Sequence, residues 1–159
     1  MRAQQHIESD QYREVASLLV PLAEKQLLMP NVTVAEIVPM GQISPIEGAP
    51  DWLLGEFTWR ELSVPLLSFE VINGHGRPAL TGRCRVAVLN TTGLSDSLGF
   101  IALLTQGLPR LARVTPEEIA ERQGASCDPY DEMVVSWAGE TAIIPSVARL
   151  EQAYLDFCG

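Results

Sequence analysis

Lysine is almost missing from this chain. Lys25 is the only one, and lysine and arginine together number 11 against 20 acidic residues, for a formal net charge of -9. So few, scattered cations cannot build the basic face that releases counterions from a phosphate backbone, which excludes nucleic acid as a partner. The same balance disfavours docking on an anionic membrane surface. No glycine-rich loop followed by lysine is present either, so phosphoryl transfer lacks its machinery.

Histidine is nearly as scarce. General acid–base chemistry uses it most often, and only His6 and His75 are available. His6 falls in a polar lead-in, and His75 sits in "NGHGR", where the flanking glycines signal an exposed loop. The three cysteines, Cys84, Cys127 and Cys158, are odd in number and far apart. That fits neither a disulfide framework nor paired zinc ligands, and a reducing cytoplasm is the expected home. No uncharged run approaches the ~20 residues of a membrane-spanning helix, so direct membrane insertion is not expected. Nor does "MRAQQHIESDQYRE" have the basic start and apolar core of an export signal.

What is present is apolar residue and punctuation. The chain has 159 residues, 47% of them hydrophobic, enough for one compact unit or two small subdomains sharing a core. "VASLLVPLA" and "QLLMP" are short apolar runs that read as a strand hairpin, and β-branched "NVTVAEIV" reads as another strand. "PMGQISPIEGAP" cannot be helix. "WLLGEFTW" and "LSVPLLSF" follow as strands, with Pro65 placing the second at an edge or a bulge. "RVAVLNTTG" and "LGFIALLTQGL" continue the pattern.

Two helices are predicted. One follows Thr115 as cap, with Pro116 in the first turn, Glu117 and Glu118 at its positive end and Gly124 as its stop. The other is "SVARLEQAYLDF", where Val147, Leu150, Tyr154 and Phe157 form one stripe. Between them "EMVVSWAGETAIIP" reads as a hairpin. The expected fold is mostly β, with two small β-barrels packed together.

No catalytic constellation, metal site or cofactor site emerges. Glu117, Glu118 and Glu121 would share a helical face, yet they lack a histidine or a further oxygen donor at fixed spacing. Cys127 and Cys158 lack a cationic neighbour to activate them. Trp52, Phe57, Trp59 and Trp137 are residue types that anchor interfaces, although core packing is the simpler account of each. Residues alone therefore stop at a mostly-β binding module that is not an enzyme.

The order of the pieces goes further. "VAEI" supplies Val34, Glu36 and Ile37; "PDWLLG" supplies Pro50 and Gly55; "TWRE" supplies Arg60; "VPLLSFE" supplies Val64 and Pro65. With "RVAVLNTTG", "GFIALLTQGLPRLARVTPEEI" and "AIIPSVARLE", this succession resembles the CheW-like chemotaxis adaptor family over about Val15 to Leu155. "NVTVAEIVP", "EGAPDW" and "VPLLSFE" are most similar to the ChpC-type adaptor of the type IV pilus chemosensory system. Three departures stand out. Glu61 replaces a turn glycine, Ser68 an acidic residue, and Pro145 with Ser146 a Leu-Asp pair. A non-glycine at Glu61 predicts an altered turn or an altered partner surface.

Residues 1–14, with neither alternation nor a helical stripe, read as a flexible lead-in, and the resemblance implies 15–159 as a CheW-like domain of two interleaved, SH3-like five-stranded β-barrel subdomains. It implies a stand-alone, non-enzymatic cytoplasmic scaffold, recruited to membrane-bound receptor arrays and without cofactor. Its partners would be the regulatory domain of a CheA-type histidine kinase and the cytoplasmic tip of a chemoreceptor. Its output would be twitching motility through type IV pili. Val34, Glu36, Gly55, Arg60 and Val86 would border the partner surfaces, with Glu36 and Arg60 paired. That pair could equally be an ordinary surface ion pair, and Val34 could be core. Two other readings stay open: a single-partner regulator or antagonist on the same fold, and, more remotely, an enzyme.

Overall fold

The computed structural model describes residues 14–159. Apart from Glu14, the expected lead-in, with His6, lies outside the described residues. The first hairpin is β1 (Val15–Pro21) and β2 (Gln26–Pro30), followed by one 3-10 turn and β3 (Val34–Pro39). Then come β4 (Leu53–Trp59), β5 (Leu62–Leu67), a four-residue helix α1 (Phe69–Ile72), β6 (Arg85–Asn90) and β7 (Phe100–Thr105). The chain closes with β8 (Arg110–Val114), β9 (Ile119–Glu121), β10 (Asp131–Trp137), β11 (Glu140–Pro145) and α2 (Val147–Cys158).

These strands make two sheets, in the orders β8-β1-β2-β11-β10-β9 and β3-β6-β7-β5-β4. The second has the five strands expected; the first has six, because the short β9 adds to β10. The middle of the chain builds one sheet and both ends build the other. Strand alternation gives each sheet two apolar faces. Leu19 and Leu28 pack in a cluster belonging to the six-stranded sheet, while Val20, Leu27 and Met29 point the other way, into a core shared with Leu53, Ala87 and Ile101. On the five-stranded sheet Val86 and Val88 join a cluster with Trp59 and Leu104, and Ala87 and Leu89 join the shared core. The mostly-β, two-subdomain expectation holds.

The helix expected after Thr115 does not form. Residues 116–118 make a turn, in which the Glu118 N–H donates to the Thr115 carbonyl at 3.1 Å, and Ile119–Glu121 then pairs with β10. Capping residues were in place, but "PEEIAERQ" carries no apolar stripe to bury, and most helical stability in proteins comes from such a stripe. The edge of β10 supplies the competing hydrogen bonds. Glu117, Glu118 and Glu121 consequently share no helical face.

Pro65 lies in an interior strand rather than at an edge. Its partner Glu56 is next to the register shift between Leu53 and Gly55, and the parallel pairing of β5 with β7 begins only at Leu66. The missing N–H therefore falls beside a bulge, where little is lost. Ser68 and Ser146 explain two of the departures. Each is a helix N-cap, accepting from the N–H of Val71 and of Arg149 at 3.3 Å, a role worth ~1 kcal/mol.

Candidate partner-binding site

Glu36 is placed by a bulge. β3 pairs Val34 with Leu89 but Glu36 with Val88, so one residue is extra. Val34 and Ile37 pack toward the shared core, Ala35 and Val38 toward the Trp59 cluster. In strict alternation Glu36 would face the shared core with Val34; the extra residue turns it to the Trp59 side.

There its Oε1 accepts from Trp59 Nε1 at 2.9 Å and from Arg60 Nη2 at 3.2 Å. The Arg60 guanidinium carbon stands 4.9 Å from the Trp59 ring centroid, within cation–π range. The ring's other neighbour is Phe100, edge-on at 4.8 Å. Trp59 itself is 8% exposed. The ion pair rests on one carboxylate oxygen, not the bidentate fork that arginine can offer. Its side chains are 40% exposed for Glu36 and 69% for Arg60, so the Coulombic part is worth ~0–1 kcal/mol. The indole bond to Glu36 is the more buried half of the cluster. Sequence reasoning missed it, although a tryptophan directly before the arginine was its visible signal.

β3 and β4 are the two outer strands of their sheet, and two further bonds tie the connection between them to β4. The Ser44 N–H donates to the Glu56 carbonyl at 2.8 Å, and the Glu56 N–H to the Ser44 carbonyl at 2.9 Å. The Glu36 bonds are what reach from β3 to the end of β4 and its turn, and Glu36, Trp59 and Arg60 form the seam there.

The turn joining β4 to β5 consists of Arg60 and Glu61, both left-handed, at φ 47° and 67°. Both residues therefore keep the positive-φ geometry of a two-residue hairpin without glycine. The altered turn expected from Glu61 is not what the structure has; the backbone accepts a strained conformation at two consecutive side chains instead.

Two expected site residues are corrected. Val86 is 1% exposed: β6 lies between β3 and β7 and is covered on both faces, so its side chain is core and reaches no partner. Gly55 is also buried, with φ 146°, and an added Cβ would stand 2.5 Å from the Ser44 carbonyl oxygen and 2.7 Å from Ile43. Its missing side chain makes room for the Ile43–Ser44 stretch of the β3–β4 connection. Val34 is half-buried at the start of β3, against the shared core. The structure thus joins Glu36 to Arg60, leaves Val34 half-buried on the opposite face of β3, and places Gly55 and Val86 in the interior.

The remaining chemical candidates are quiet. His75 Nε2 lies 2.7 Å from Asp128 Oδ2, which also accepts from Lys25 Nζ at 3.3 Å. Cys84 is buried. The Cys127 thiol has its pKa raised, first by desolvation and then by Asp131, opposite to what a reactive thiol needs. Trp52, Phe57 and Trp137 are partly buried in the clusters. No helix among the described residues is long and apolar enough to cross a membrane.

The architecture is similar to that of the scaffolding protein TtCheW from Thermoanaerobacter tengcongensis in its crystal structure. The TM-score is 0.74 over 86% of this chain and 91% of that one, at 17% identity. No curated protein matches the chain. A family model for the CheW-like domain matches residues 16–153, from β1 into α2. The chain belongs to the CheW-like domain family.

Proposed function

We propose that this protein is a non-enzymatic chemotaxis scaffold that couples the cytoplasmic tip of a chemoreceptor to the regulatory domain of a CheA-type histidine kinase. It works in the cytoplasm at membrane-bound arrays. Family membership across nearly all of the described chain supports the adaptor role, and so does the likeness to a scaffolding protein. The observation that carries the site is the seam cluster. It holds Arg60 largely exposed at a rigid turn, with its charge answered by a carboxylate from another strand. A fixed, exposed arginine beside a buried indole is the residue chemistry that anchors interfaces. Val34, Glu36 and Arg60 form the contact edge in this reading.

The finer assignment is to the ChpC-type branch, with twitching motility through type IV pili as output. It is supported by "NVTVAEIVP", "EGAPDW" and "VPLLSFE". A single-partner regulator or antagonist on the same fold is the second reading, and Glu61 and Ser68 are the departures that would favour it; in the structure Glu61 takes the turn geometry and Ser68 caps a helix. The test is recovery of partners by tagged protein from extract. A CheA-type kinase and a receptor should be retained together, and displacement of one by the other would identify an antagonist.

A further inference from the structure

The asparagines of the chain are Asn31, Asn73 and Asn90, and only Asn73 precedes a glycine. The end of α1 uses that pair. Asn73 closes the helix at φ -85° and ψ 6°, and Gly74 follows at φ 89°, the left-handed geometry that stops many helices. An asparagine before glycine carries its own chemistry. The Gly74 nitrogen can attack Asn73 Cγ, closing a five-membered succinimide as the Cγ–Nδ2 bond breaks and ammonia leaves. Water then opens the ring at either carbonyl, giving aspartate or isoaspartate, with no oxidant or reductant required. Glycine favours the attack because no side chain crowds the nitrogen.

Three features of the fold block the first step. A ψ of 6° eclipses the Gly74 nitrogen with the backbone nitrogen of Asn73, which turns it away from Cβ, so the ring cannot close. The Gly74 N–H is committed to the Val71 carbonyl at 2.9 Å. The amide itself is held at both ends: Nδ2 donates to Asp131 Oδ1 at 3.1 Å, and Oδ1 accepts from the Tyr130 N–H at 2.9 Å. Both side chains of this clamp are buried, Asn73 at 9% exposure and Asp131 at 2%. The clamp also ties the two halves of the fold together. α1 follows β5 of the five-stranded sheet, and Asp131 opens β10 of the six-stranded one.

We propose that Asn73 is a deamidation site which the folded protein holds shut, and that its conversion releases this tie irreversibly. Local opening of the single-turn α1 and the exposed loop after it frees ψ and the amide together. Aspartate at position 73 replaces the donated N–H with a second carboxylate against Asp131, and like charges repel strongly at a buried site. Isoaspartate adds a methylene to the main chain at the helix stop as well. Neither product re-forms the clamp. The site is separate from the Glu36–Arg60 seam and does not depend on the adaptor role.

Peptide mapping by mass spectrometry, after incubation of the whole chain at mildly alkaline pH, tests it. In urea the wild type should convert at Asn73 ahead of Asn31 and Asn90, and the folded protein should convert there on the order of a hundredfold more slowly. Asp131→Ala frees one end of the amide. It should speed the folded conversion by on the order of tenfold and leave the rate in urea unchanged. Asn73→Asp, the product made directly, should unfold about 5 °C below wild type. Wild type aged in urea and refolded should show the same lowered midpoint in its converted fraction. The proposal is overturned if Asn73 converts as fast in the folded protein as in urea, if the chain in urea does not convert at Asn73, or if the converted fraction melts with the wild type.

Discussion

A single oxygen of Glu36 holds both Trp59 and Arg60, and of these two bonds the one to the buried indole is the shorter, 2.9 against 3.2 Å. Stability and recognition divide between them. Removing Glu36 strands a buried N–H, whereas removing Arg60 frees an exposed charge. Glu36→Ala should therefore cost about 1–3 kcal/mol and Arg60→Ala about 0–1 kcal/mol, with Glu36→Gln in between because its amide oxygen still serves Trp59. Urea unfolding of the three variants measures the order, and equal losses for Glu36→Ala and Arg60→Ala would contradict it.

Glu61 sits at φ 67° after Arg60 at φ 47°. Left-handed geometry at an L residue costs ~1–2 kcal/mol, which glycine does not incur. Glu61→Gly should stabilise the protein by about 1 kcal/mol after its greater unfolded-state freedom is counted. Calorimetry reads this as a raised midpoint, while partner recovery should stay as in wild type because the turn keeps its shape.

Gly55→Ala should act in the opposite sense. A Cβ at this φ of 146° meets backbone at 2.5 Å, and neither the strand nor the Ser44 bridge can retreat without breaking pairing. A loss of roughly 2–4 kcal/mol is expected. Any accompanying loss of partner binding should track the fraction unfolded in the same sample, since the glycine faces Ile43 and Ser44 and not a partner.

Asp128 links the loop before β10 to His75 and Lys25. Its pKa is lowered, first by the hydrogen bond with His75 and then by Lys25, against the opposing effect of partial burial. A carboxyl whose folded pKa is depressed stabilises above its unfolded value, about 3.9, and loses that contribution as pH falls through the folded value. Wild type should therefore lose more stability than Asp128→Asn on going from neutral pH to below about pH 4. Parallel acid dependence of the two proteins, followed by urea midpoints, would be the contrary result.

Much of this was legible in the residues because the strands are short and sharply punctuated. The β1–β2 and β10–β11 hairpins and α2 follow from apolar runs, turns and one helical stripe, and the succession from "VAEI" to "VPLLSFE" pointed to the family. Competition between local and tertiary signals was not legible. Thr115 and Pro116 signal a helix start, yet the open edge of β10 captures Ile119–Glu121 as strand. α1 is one turn long, too short for any periodicity to declare it. Val86 looked like a border residue because a sequence does not show that β6 has neighbours on both sides. The bulge that turns Glu36 toward Trp59 is likewise a property of pairing, and nothing in "VAEI" announces it.

Co-assembly measures the adaptor role most directly. Purified protein is mixed with a CheA-type kinase regulatory domain and a receptor cytoplasmic hairpin, and the complexes are weighed by sedimentation. One species containing all three components is expected, with Arg60→Ala weakening it by on the order of tenfold while remaining folded. Binding of neither partner by the folded wild-type protein would contradict the account.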